Sequence, residues 1–317
     1  MKILITGAAG QIGTDLIPTL LAQGHEVATF DLAPRPASCP ADVEWIRGDV
    51  TVAAEFNEVV KQVAPQRLLH MAAILSAAGE HVPHRAYRVN TEGTHNALEA
   101  ARLFDVEQVF FTSTIAVFGP GLPDRVGDDV PLRPTTMYGI TKAFGERLGE
   151  YYQEKFGIDF RGVRFPGLIN AGIPGGGTSD YALFMYVNGL RDGHYEAFCS
   201  PESCIPFMYM PDALRAMREL MDAPKSQLKR SIYNIAAMSP TAQAFADAVT
   251  ERLPQVSITF DSDPARQAIL DSWPKELDDS YARAEWGWNH EFDLDAMSDD
   301  LIPKVQALID ADNVPVS

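Results

Sequence analysis

A doubly wound, parallel α/β sheet is the fold this sequence predicts, and three observations point to it. Short apolar runs alternate with longer helical stretches through the first half of the 317 residues. Those runs lack the in-out alternation of a half-solvated sheet, as strands covered on both faces do. A glycine-rich turn follows the first run and opens the first helical stretch. Repeated strand–helix–strand units need right-handed crossovers, which lay helices on both faces of one sheet.

The strands read over residues 2–6, 26–31, 43–46, 67–70, 108–113 and 160–165, and the helices over 11–23, 52–63, 84–104 and 137–156. Thr51 is placed to cap the second helix by accepting from an amide of its first turn. Pro18 falls inside the first helix and should bend it, because its ring crowds the preceding turn. After Phe165 the character changes, and 166–177, rich in Gly and Pro, reads as a loop. Helices begun at Pro211 and Pro240 follow. The chain is expected to divide into a main unit over 1–169 and a smaller, interleaved C-terminal region over 170–317 without its own core. Residues 313–317 are expected to fray.

Hydrophobic content of 46% supports a sizeable core. Forty-three acidic residues against twenty-six basic ones give a net charge of -17. That field repels phosphate backbones and anionic lipid, so neither nucleic acid nor a membrane is an expected partner. Three cysteines, Cys39, Cys199 and Cys204, make no disulfide framework and fit a reducing compartment. His194 lies near the last two, but a zinc site needs four ligands at tighter spacing, so no metal is expected. The first strand starts at Lys2, leaving no room for a cleavable signal, and no apolar run approaches the ~20 residues of a membrane span. A cytoplasmic or organelle-matrix protein is expected.

Gly7-Ala8-Ala9-Gly10-Gln11-Ile12-Gly13 sits between a strand and a helix. Glycines so placed let the turn close, let amides approach a pyrophosphate and let the helix pack on the sheet, which is the Rossmann arrangement. Asp31 ends the second strand, where a carboxylate can accept adenosine ribose hydroxyls and repel a 2′-phosphate. The expected cofactor is therefore NAD, with Arg35 a weaker pointer to NADP and a plain turn role the alternative for Asp31. Asp49 and Val50 suit the adenine. Ala72 and Ala73 are small enough to let the chain pass the nicotinamide half, or merely to pack closely.

Tyr138-Gly139-Ile140-Thr141-Lys142 puts a phenol and an ammonium one helical turn apart on one face. A free phenol, with pKa near ~10, is a poor base at neutral pH. Lys142 and a positively charged nicotinamide together are expected to stabilise its phenolate. Ser113 and Thr114 end the fifth strand, where open α/β sheets place their chemistry, and either hydroxyl could hold a substrate oxygen.

With these motifs in place, the chain resembles the extended short-chain dehydrogenases, and within them the branch of short-chain L-threonine 3-dehydrogenases. The resemblance covers nearly the whole length. It rests on Leu75-Ser76-Ala77, Ser113-Thr114-Ile115, Pro174-Gly175-Gly176-Gly177-Thr178-Ser179-Asp180-Tyr181, Met208-Tyr209-Met210, Asp271-Ser272-Trp273-Pro274 and Trp286-Gly287-Trp288. Phe207 departs from it, standing where that branch usually has methionine. The resemblance selects Thr114, five residues before Gly119, as the catalytic hydroxyl beside Tyr138 and Lys142. It implies a cofactor set of Gly7, Gly10, Gln11, Ile12, Gly13, Asp31, Asp49, Val50, Ala72, Ala73, Tyr138, Lys142 and Leu168, with Lys142 on the nicotinamide ribose.

It also implies an amino-acid substrate, threonine, oxidised at C3 and surrounded by Ser76, Thr114, Tyr138, Gly177, Thr178, Asp180 and Trp273. For Trp273 a core role is the competing reading. Residues 174–181 are expected to form a mobile lid, with a surface linker as the alternative. The helices over 84–104 and 137–156 are expected to pair two copies as a homodimer. Two other functions remain open: a nucleotide-sugar epimerase, dehydratase or reductase, and a non-enzymatic dinucleotide sensor. The acid-rich C-terminal region disfavours a large anionic ligand, and the presence of Tyr138, Lys142 and Thr114 disfavours a sensor.

Overall fold

The computed structural model describes residues 1–172 and 176–311. Its first half runs β1 (Lys2–Thr6), α1 (Gln11–Ala22), β2 (Glu26–Asp31), β3 (Glu44–Arg47), α2 (Ala53–Val63), β4 (Arg67–His70), α3 (Ser76–His81), α4 (Pro83–Tyr87), a π-helical turn (Arg88–Glu92), α5 (Gly93–Leu103), β5 (Gln108–Thr114), β6 (Arg125–Val126), α6 (Met137–Phe156), β7 (Asp159–Phe165) and β8 (Gly167–Ile169). The remainder runs α7 (Tyr181–Asp192), β9 (His194–Ala197), β10 (Phe207–Tyr209), α8 (Met210–Asp222), β11 (Ile232–Asn234), α9 (Ala242–Arg252), β12 (Ser257–Phe260), α10 (Pro264–Asp271), β13 (Glu276–Leu277), α11 (Ser280–Trp286) and α12 (Leu294–Asp310).

Seven parallel strands form the main sheet in the order β11-β7-β5-β4-β1-β2-β3. The chain winds outward from β1 to β3, then returns to β4 and winds the other way. Sheets of this kind bind ligands beyond the carboxyl ends of the strands, at that reversal. One face of the sheet buries Leu16, Ile17 and Leu20 of α1 with Met217 and Leu220 of α8. The other buries Phe56 and Val60 of α2 with Ala97 and Leu98 of α5.

Residues beyond Ile169 do two things. β11 and α8 complete the main sheet, whereas α7, α9, α12 and the small parallel pairs β9–β12, β8–β10 and β6–β13 form a second layer. That layer gathers Tyr181, Tyr186, Phe207, Phe245 and Leu301 into a hydrophobic cluster of its own, joined from the first half by Val117, Phe118 and Val126. The residues beyond Ile169 thus contribute to the main sheet as well as to the second layer.

Local signals explain the boundaries. Thr136 caps α6 by accepting from the Gly139 amide at 3.1 Å, and Gly157, at φ +80°, ends it. At α2 the expected cap fails: Val52 precedes the helix, and the Thr51 hydroxyl donates to Asp49 Oδ1 at 2.9 Å instead. The helix expected from Pro240 starts at Ala242, capped by Thr241, whose hydroxyl accepts from Ala244 at 3.1 Å. α1 runs on through Pro18 as one helix. The single helix expected over 84–104 is instead α4, the π-turn and α5. Residues 313–317 lie outside the described residues.

Candidate active site

A cavity of about 860 Å³ opens at the reversal point, above the carboxyl ends of β1, β2, β4, β5 and β7. Of the residues expected to bind cofactor or substrate, all but Thr178 line it.

The cofactor end is built on the turn after β1. Gly7 has φ +70°, and a Cβ there would lie 2.6 Å from the Ala72 amide nitrogen. A Cβ on Gly13 would strike the Ala8 carbonyl. Only glycine fits either place. No side chain caps α1 at Gly10, and its first turn holds no acid, so its leading amides suit a diphosphate. The Asp31 carboxylate accepts from the Ala9 amide at 2.9 Å and the Ala33 amide at 2.8 Å, tying the glycine turn to the end of β2. Asp49 and Val50 form the adjoining wall. This cradle, with its leading helix amides and the Asp31 carboxylate on its wall, fits a dinucleotide.

At the other end stand Tyr138 and Lys142 from α6 and Thr114 from the end of β5. Lys142 is buried, its Nζ donating to the Thr112 carbonyl at 2.6 Å and lying 4.7 Å from the centre of the Phe111 ring. Burial pushes the Tyr138 phenol up to about 12, opposed by a hydrogen bond with Thr114. Burial also pulls the Lys142 ammonium down to about 7, opposed by Glu146. The expectation that lysine helps to lower the phenol is thus not met by the chain alone. Both groups are desolvated in one pocket, which disfavours each charged form. His70, buried beneath and bonded to the Thr6 hydroxyl at 2.9 Å, is driven down to about 3 by burial and the nearby lysine, and stays neutral.

Ser113, the alternative to Thr114, is already engaged: its hydroxyl donates to Glu146 Oε1 at 2.5 Å. Glu146 is fully buried and takes a two-pronged ion pair from Arg164 at 2.9 and 2.8 Å. That leaves Thr114 as the hydroxyl shared with Tyr138.

Ser76, Gly177, Ser179, Asp180 and Trp273 close the far wall. Thr178 does not reach it. In the 3₁₀ turn Thr178–Asp180 this side chain points back into the protein, 3.4 Å from the Ser76 hydroxyl, and its neighbour Ser179 faces the cavity. Asp180 Oδ2 accepts from the Gly176 and Gly177 amides, both at 2.9 Å, while burial lifts its carboxyl to about 6. Thr178 and Tyr181 are buried, so the expected lid over 174–181 is anchored from Thr178 onward. Pro174 and Gly175 lie outside the described residues. Trp273 lines the cavity and also packs on the hydrophobic cluster. Phe207 stands behind the wall, fully buried.

Sequence reading missed His84, Arg85 and Arg88 at the cavity mouth. Their spacing on one helical face, in a chain of net charge -17, was the available signal. It also missed Asn90, in the π-turn. This side chain donates to the Ile74 carbonyl and the Thr141 hydroxyl, each at 3.0 Å, and accepts from the Ile74 amide at 2.8 Å. It clamps the segment after β4 against α6 between Tyr138 and Lys142.

Comparison with known proteins agrees with this architecture. The model of the NAD dependent epimerase/dehydratase family matches residues 3–236. An uncharacterized epimerase/dehydratase of Staphylococcus saprophyticus is 42% identical over 311 residues, 96% of this chain and 97% of that protein. The mitochondrial L-threonine 3-dehydrogenase of Bos taurus is 39% identical over 297 residues, 92% of this chain and 79% of that one. The crystal structure of L-threonine dehydrogenase from Clostridium difficile superposes with a TM-score of 0.92 at 40% identity, covering 96% of this chain and 98% of the other. The glycine cradle, the Tyr138–Lys142 pair and these matches together place the chain in the NAD-dependent epimerase/dehydratase family, the extended short-chain dehydrogenases, as an NAD-dependent oxidoreductase.

Proposed function

We propose that the protein oxidises L-threonine at C3 to 2-amino-3-oxobutyrate. The observation that carries this reading is the Asp180 carboxylate, which lines the same cavity as Tyr138 and Thr114. Above a pH of about 6 that carboxylate is ionised and suits the ammonium of an amino acid. Relatives that carry the threonine dehydrogenase name, matching over most of this chain, support the same assignment. NAD⁺, when bound, supplies the hydride acceptor. Tyr138 takes the hydroxyl proton, Thr114 orients that oxygen, and Lys142 fixes the ribose and the local charge. No helix among the described residues is long and apolar enough to cross a membrane. Parallel assays of NADH formation with threonine, 3-hydroxybutyrate and a nucleotide sugar test the reading. Turnover with the nucleotide sugar and none with threonine would reverse it.

Asp31 is the group we assign to choosing NAD over NADP. Asp31→Ser removes a charged acceptor and the barrier to a 2′-phosphate, and should shift the NAD:NADP affinity ratio by about ten- to a hundredfold. Fluorescence titration with both cofactors measures it. A ratio that stays put would make Asp31 only the anchor of Ala9 and Ala33.

We also propose a homodimer. Ile140, Phe144 and Tyr151 leave a row of exposed apolar side chains along α6, continued by Tyr87 of α4 and Leu103 of α5. A face of that kind, contributed by helices beside the active strand, pairs across a two-fold axis. Light scattering at working concentration should return twice the chain mass, and Phe144→Glu should return the single mass.

A further inference from the structure

Phe207 touches no part of the cavity, yet it stands behind two of its walls at once. On β10 it is the parallel partner of Gly167 on β8. A Cβ on Gly167 would lie 2.8 Å from the Phe207 ring and 3.0 Å from Ser179 Cβ. Gly167 thus lies close against both the ring and the serine, with no room for a side chain of its own. The backbone of Phe207 is held from the far side as well, its amide donating to Met238 at 2.8 Å and its carbonyl accepting from Met238 at 3.2 Å.

The same ring meets Tyr181 edge-on at 5.8 Å and Phe245 at 4.9 Å. Tyr181 is the first residue of α7 and follows directly on the turn that presents Ser179 and Asp180. It is fully buried, and its hydroxyl has no hydrogen-bond partner, so ring packing is what fixes it. A planar side chain with two stiff torsions transmits position more faithfully than a flexible one.

We infer that Phe207 is a positioning residue that seats the Thr178–Asp180 turn against Gly167 and so sets the width of the substrate end of the cavity. The inference rests on the reading of that end as the substrate site. It predicts selectivity for side-chain length, since a wall that recedes admits an additional methylene and grips a shorter substrate less well.

The test uses Phe207→Met and Phe207→Leu, which keep an apolar side chain at the position. Amide hydrogen exchange over residues 176–181 should rise about tenfold in both, with exchange over 7–22 and the NAD dissociation constant unchanged. The kcat/KM ratio for threonine over 3-hydroxynorvaline, one methylene longer, should fall about tenfold, carried by the KM for threonine. Unchanged exchange overturns the inference. So does an equal loss on both substrates, which is what a mere core-filling role gives, and so does raised exchange with an unchanged ratio. If the wild-type enzyme oxidises neither amino acid, the threonine reading fails by itself. The Gly167–Ser179 separation in a crystal structure of Phe207→Leu then decides in place of the ratio, widening if the inference holds and unchanged if it does not. Should Phe207→Leu not fold, Phe207→Met carries the same measurements.

Discussion

Tyr138→Phe is expected to keep the fold and the affinity for NAD while turnover falls about a hundred- to ten-thousand-fold, the usual contribution of a general base. The substitution removes one oxygen and leaves the ring, so packing in the pocket is preserved. What it removes is the phenol that shares a hydrogen bond with Thr114 and stands beside Lys142. Because burial holds that phenol at about 12 in the free chain, the wild-type rate should climb as pH rises through the neutral range. The working form is the phenolate, and raising the pH increases its share. Tyr138→Phe should lose the slope along with the rate. Stopped assays of NADH formation across pH, with circular dichroism and NAD titration as controls, read all of this. A folded variant retaining more than about a tenth of the activity sinks the assignment.

Arg164→Met is expected to cost about 3–5 kcal/mol of stability, because it leaves the Glu146 carboxylate buried without its cation. Glu146 is fully enclosed, and its remaining partners are the Ser113 hydroxyl at 2.5 Å and a largely exposed Arg147 at 3.7 Å. Arg164 also donates to the Asp128 carbonyl at 3.0 Å and lies 5.2 Å from the Phe118 ring, so the loss is not electrostatic alone. Pairing Arg164→Met with Glu146→Met should recover much of the deficit, since two apolar side chains replace two desolvated charges. Urea unfolding of the three variants separates the cases. A double variant no more stable than Arg164→Met would show that the ion pair is not what Arg164 supplies.

Much of the nucleotide-binding half was legible because its signals are local. β1, β2, β4 and α6 stand where the sequence put them: the strands are uninterrupted apolar runs, and Thr136 and Gly157 mark both ends of the long helix. The smaller sheets were not legible. β6 and β13 are two residues each and find one another across some 150 residues of chain, a pairing no short window carries. Glu146 shows how an acidic residue misleads. Mid-helix, it reads as part of a solvated face, and only the arrival of Arg164 from β7 makes its burial tolerable. At the far wall Ser179, not the expected Thr178, lines the cavity. Successive residues of a 3₁₀ turn point a third of a turn apart, so whether Thr178 or Ser179 faces the cavity depends on where the turn begins.

The π-helical turn at Arg88–Glu92 makes chain length itself a variable of the site. Such a turn closes over one residue more than an α-helix does, which rotates everything on one side of it by about 100° relative to the other. Before it, the rotation leaves His84, Arg85 and Arg88 at the rim of the cavity. After it, Ala97, Leu98, Ala100 and Ala101 meet the sheet. Asn90 stands where the two azimuths join, which is how one side chain reaches both Ile74 and Thr141. Taking a single residue out of that turn would scarcely alter composition or hydropathy, yet it would swing the basic rim away from the opening. Two relatives differing by one residue at this point could share every strand and helix, keep the same tyrosine and lysine, and still present mouths of different charge to whatever enters.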